Sequence, residues 1–154
     1  MNGSDWITDL RSWIGRNGHT GGFAFCLPAY RPDMVAAAAA GLDLALLDFR
    51  KTHLAALGWG ASSVPLEAMT AAVEAEMAGN KGVVLQNAEA LLSLHTQPRR
   101  CAWLAATLSH AWPHTLLLPL VLYAADLPPL PDRIYRLAPE AAPAETLLMR
   151  LSGL

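Results

Sequence analysis

The chain alternates short runs of apolar residues with longer stretches in which apolar positions recur every three or four residues. The longer stretches predict amphipathic helices. Over residues 4–16, Trp6, Leu10, Trp13 and Ile14 share one helical face, with Ser4 in position to cap it. Pro32 suits the first turn of a second helix that runs to Gly41. A third is expected from about Val64, capped by Ser63, with Leu66, Met69, Val73 and Met77 inward and Gly79 as the stop. A short helix over "AEALLSL" and one opening at Thr96-Pro98 follow, the latter with Cys101, Leu104 and Leu108 as its core face and Trp103 off that stripe. "PAETLLMRLSGL" reads as a final helix.

The short runs are "FAFCL", "LALLDF", "GVVL", "TLLLPLVLYA" and "RIYRL". They are apolar throughout rather than alternating, as expected of strands covered on both faces. Pro119 inside the fourth marks a delayed start or a bulge. Strands separated by helices give an α/β fold: a three-layer αβα sandwich with a mostly parallel sheet of about five strands. Residues 1–154 read as a single domain, with residues 1–17 as an N-terminal amphipathic helix and residues 22–152 as the core.

Composition changes this picture little. A hydrophobic share of 53% and a charged share of 16% argue against disorder. A net charge of −2 removes broad electrostatic attraction for nucleic acid, although a local basic patch stays open. The longest apolar run, Leu116 to Ala125, is far short of the roughly 20 residues that span a bilayer. The start of the chain lacks a basic, continuously apolar leader. A cytoplasmic location without membrane contact is the expectation. Cys26 and Cys101 have no ligand-like spacing and read as buried thiols. His110 and His114 are separated by Pro113, so a shared metal is not expected.

In a parallel sheet, chemistry sits beyond the carboxyl ends of the strands. After the first strand, "LPAYRPDM" has no glycine, lysine or helix-start hydroxyl to cradle phosphate, and Pro28 and Pro32 remove N–H donors. Arg31 alone could meet an anion there. After the second strand, Lys51-Thr52 imitates the end of a phosphate loop without its glycines. Arg50, Lys51 and His53 form at most a small cationic contact. After the third strand comes Gln86-Asn87-Ala88-Glu89. Arg99 and Arg100 read as the solvated first turn of a helix; because the dipole disfavours cations there, a contact to a partner or a phosphate backbone is the alternative. Trp6, Trp13 and Trp59 are candidate interface residues, with core filling as the alternative.

"GVVLQNAEAL" resembles the third strand of P-loop ATPase cores of the AAA+ kind, among them DnaA-related replication regulators and the small P-loop protein of bacterial BREX phage-exclusion systems. That strand ends as four apolar residues, Asp, then Asn or Asp, any residue, and Glu. Here Gln86 takes the place of the magnesium-supporting Asp, while Asn87 and Glu89 are kept. "LPLVLYAADLPPLPDRIYRLAPE" is similar to the families' sensor strand, its turn and the strand that closes the core, with Arg133 near the place of an arginine finger and Ala124-Ala125 replacing the polar sensor. RecA-like proteins of the cell-division-inhibitor kind are similar in keeping the fold without a phosphate loop. The resemblance implies a degenerate P-loop fold with no catalytic residues, cofactor or metal. Asn87 and Glu89 would then orient a turn or a partner. The function implied is an adaptor or regulator in a DNA-linked assembly, acting through a protein partner. The alternatives are a small enzyme using Asp48, Glu89 or Asp126, and a self-associating protein using Trp6 and Trp13.

Overall fold

The computed structural model describes residues 5–144. Five parallel strands form one sheet: β1 (Gly21–Cys26), β2 (Ala45–Asp48), β3 (Val83–Gln86), β4 (Thr115–Leu120) and β5 (Ile134–Arg136). Their spatial order is β2-β3-β4-β1-β5, with every pairing parallel. Helices α1 (Asp5–Arg16), α2 (Pro32–Gly41), α3 (Glu67–Met77), α4 (Ala88–Leu92) and α5 (Gln97–Ser109) cover it. Among the described residues no helix is long and apolar enough to cross a membrane.

The two-residue period of the strands sorts their side chains into two cores. Phe23, Phe25, Val84 and Leu117 point to the face covered by α1 and α2, where they meet Trp6, Leu10, Ile14, Met34 and Val35. Ala24, Val83, Leu85, Leu116, Leu118 and Leu120 point to the opposite face and meet Met69, Val73, Leu91, Trp103, Leu104 and Leu108. Both faces are therefore apolar, which is why the strands read as uninterrupted hydrophobic runs. Helix α5 crosses close to β1. A Cβ on Gly22 would lie 2.7 Å from the Thr107 carbonyl oxygen, so the residue there must be glycine.

The order places β1 beside β4. The connection leaving β1 packs on the α1/α2 face. The connection leaving β4 lays Tyr123, Leu127 and Leu130 against the other core. Connections diverging from neighbouring strands open a crevice at their carboxyl ends, the usual ligand position in open α/β sheets.

Several local expectations shift. Helix α3 begins at Glu67, not near Val64. Val64 precedes Pro65 and is extended, at φ −75° and ψ 124°, because the proline ring excludes helical backbone before it. Ser63 caps nothing and donates instead to the Gly60 carbonyl, 2.9 Å away. On α5 the buried residues are Trp103, Leu104, Thr107 and Leu108, so Trp103 belongs to the core face and Cys101 lies at its border. Trp103 donates from Nε1 to Thr70 Oγ1 at 3.1 Å, which satisfies its polar atom against α3. Pro119 neither delays β4 nor bulges it; it pairs in register with Phe25. The expected final helix and the Ser4 cap lie outside the described residues.

Candidate functional site

The crevice has a floor at the ends of β3 and β4. Their ladder pairs Val83 with Leu116 and Val84 with Leu117 and goes no further. Pro119 has no N–H with which to extend it. Beyond that point Gln86 and Pro119 line a cavity of about 320 Å³. Leu27, Val35, Val121 and Leu122 supply its apolar walls, and Tyr30, Arg31, Arg50, Asn87, Glu89 and Ser93 its polar ones.

Each polar residue owes its place to local backbone. Asn87 has φ 63° and ψ 28°, the left-handed conformation that turns β3 directly into α4. Asparagine tolerates this region better than other side chains with a Cβ. Its Nδ2 donates to Asp48 Oδ1 at 2.9 Å and so ties the end of β3 to that of β2. Asp48 Oδ1 also accepts from the Lys51 backbone N–H. In the first turn of α4, Glu89 reaches across to the segment after β4. Its Oε1 accepts the Val121 N–H at 2.9 Å, and its Oε2 accepts those of Leu122 and Tyr123 at 2.6 and 2.8 Å. The carboxylate thereby stands in for the backbone partners that β4 loses when its ladder stops.

Gln86 is buried at the floor, and its side-chain amide makes no hydrogen bond within the described residues. Arg31 is also buried. Its Nε and Nη2 hold the two oxygens of Asp33 at 3.0 and 2.8 Å, and Nη1 donates to the Pro143 carbonyl at 2.7 Å. These bonds from Arg31 hold the Asp33 carboxyl below its usual range. Arg50 opens a single π-helical turn over residues 50–54 and is exposed at the crevice edge.

The other sequence candidates lie elsewhere. Lys51 and Thr52 are exposed on the same turn, with Thr52 Oγ1 bonded to the Asp48 carbonyl. His53 stacks on Phe49 with ring centroids 4.6 Å apart. Arg99 lines a larger groove of about 460 Å³ between α3 and α5. Arg100 pairs with Asp126 at 2.7 Å, donates to the His95 carbonyl and lies over the Tyr123 ring. Asp126 is held below the usual carboxylate range, first by Arg100 and then by Gln97. Arg133 is at the opposite end of the sheet, where it donates to the Thr20 carbonyl and covers the Phe23 ring. Trp6 is buried and stacked on Phe25, and Trp13 packs edge-on against Phe23 and Tyr135, so both fill the core. Trp59 is 98% exposed.

The structure thus brings Arg31, Arg50, Gln86, Asn87 and Glu89 to one cavity and leaves Lys51, Arg99, Arg100, Arg133 and the tryptophans outside it. Asp48, Glu89 and Asp126 are each bonded to a different set of partners, and of the three only Glu89 lines the cavity. Tyr30, Ser93 and Leu122 carry no sequence signal of a site. Pro119, in a central strand, is the one hint that the sheet opens here. Among the described residues no group of His, Cys, Asp and Glu is arranged to hold a metal. Cys26, at the end of β1, is buried, and burial pushes its thiol up against the opposing charge of Arg136. No protein-family model, curated protein or solved structure matches the chain.

Proposed function

We propose that the protein is a degenerate P-loop ATPase-like adaptor or regulatory subunit of a bacterial DNA-linked assembly, in phage defence, replication control or repair, and that it works through contacts with another protein. The observation that carries this reading is the engagement of Glu89. In a hydrolase of the kind the sequence resembles, that acid faces the reacting water. Here both oxygens are taken by three backbone N–H groups. Gln86 brings no charge for magnesium, the β1–α2 turn has no phosphate-binding glycines, and Arg31 is committed to Asp33. Phosphoryl transfer depends on fixed charges around the phosphate, and neither a phosphate-loop lysine nor the magnesium-supporting acid stands at its expected position in the sequence.

Isothermal titration with Mg-ATP should give no binding at millimolar nucleotide, and purification from the native host should return a defined complex with a DNA-acting ATPase, nuclease or polymerase. Micromolar ATP binding with turnover, or a protein that stays monomeric in the native host under all conditions, would overturn the reading.

A further inference from the structure

We propose that the crevice between the ends of β3 and β4 receives one large apolar side chain from an extended, acidic segment of the partner protein, with a carboxylate of that segment on Arg50. This rests on the adaptor reading and names the chemistry its partner presents.

The cavity, about 320 Å³, is at the small end for ligand pockets and has room for one anchoring side chain. Its walls at Leu27, Val35 and Val121 are apolar. Gln86 is buried for most of its length, and its side-chain amide opens on the cavity, where it offers donors and an acceptor that nothing in the described chain uses. A peptide group entering the cavity presents the matching acceptor and donor.

Charge selects the sign of the partner. Asp33 pairs with Arg31, and three backbone N–H groups occupy both oxygens of Glu89. Arg50 lines the same cavity and has no ion pair among the described residues. The lining charge without a bonded partner among the described residues is therefore the Arg50 guanidinium. The rim selects the size of the partner. Leu122 is 71% exposed and Tyr30 51% exposed. A compound that only filled the cavity would leave these two in water, whereas a segment crossing the mouth covers them and seats its anchor between them.

The test is selection of random peptides displayed on phage against the full chain, with counterselection against Ser93→Trp. Ser93 is exposed at the crevice wall, so a tryptophan there fills the cavity without disturbing the core. Selected peptides should carry Leu, Phe or Trp beside Asp or Glu. A synthetic winner should bind with micromolar Kd by fluorescence anisotropy. Ser93→Trp should abolish binding, and Arg50→Glu should weaken it about tenfold, with partial recovery when the peptide's acid is changed to Lys. Equal binding to Ser93→Trp, winners without acids, or no winners would overturn the proposal. So would saturable binding of indole-3-acetate at the Gln86 amide with no peptide selected, which would make this a small-molecule site. Parallel titration with Mg-ATP separates the two levels: nucleotide entering the crevice defeats the adaptor reading itself, whereas failure of peptides and nucleotide alike defeats only this inference.

Discussion

Replacing Glu89 by alanine removes the acceptor of three N–H bonds at 2.9, 2.6 and 2.8 Å. A hydrogen bond to a charged group contributes about 1.5–3 kcal/mol. The three share one carboxylate and are not additive. Leu122 is exposed and Val121 and Tyr123 are half-buried, so their N–H groups can partly rehydrate once released. These two corrections bring the expected loss to about 2–4 kcal/mol. For a domain of this size each kcal/mol moves Tm by about 2–4 °C, so Glu89→Ala should melt about 5–15 °C lower. Glu89→Gln keeps one oxygen but turns an NH2 toward a donor, and should lose roughly half as much. Urea unfolding followed by circular dichroism should show a lower midpoint with an unchanged slope. Hydrogen exchange should show Val121, Leu122 and Tyr123 losing protection before the strands do. A Glu89→Ala protein within about 0.5 kcal/mol of wild type, with those amides still protected, would refute the structural role and return Glu89 to the pool of free acids.

Asp126→Asn breaks a pair in which the Asp126 carboxyl is buried, and should cost about 3 kcal/mol in urea unfolding. Asp126 and Asp33 are both depressed below their unfolded value of about 3.9. Their contribution is complete above that pH and drains away as pH falls through the lower folded values, so stability should fall below about pH 4, less steeply in Asp126→Asn; parallel curves would count against the pair. Gly22→Ala sets a methyl 2.7 Å from the Thr107 carbonyl oxygen, where neither backbone can yield cheaply, and should lose about 1–3 kcal/mol by thermal melting. Trp59→Ser should leave stability within about 0.5 kcal/mol of wild type and remove the most solvent-exposed component of tryptophan fluorescence. Trp6→Ala, which empties the stack on Phe25, should cost about 3–5 kcal/mol in the same melts.

Much of the fold was legible in the chain because its signals are local. Runs that are apolar at both parities announce strands covered on both faces, and proline and asparagine state their backbone preferences within a few residues. The sequence by itself therefore determined the layered parallel architecture, the extent of α2 and the start of α5 to within a residue or two, and the rule that chemistry lies past the strand ends. It also singled out Gln86, Asn87 and Glu89. What these residues do was decided only by tertiary structure. Helical spacing cannot say that Glu89 reaches N–H groups 32 to 34 positions away. Nor can it say that Trp103 turns inward to meet Thr70, or that Arg31 spends its guanidinium on Asp33 and Pro143. Strand order carries no local signal, because it depends on which crossovers cover which face. That order sets β4 between β3 and β1, and Pro119 then ends the ladder with β3, so a crevice opens where four separate segments meet.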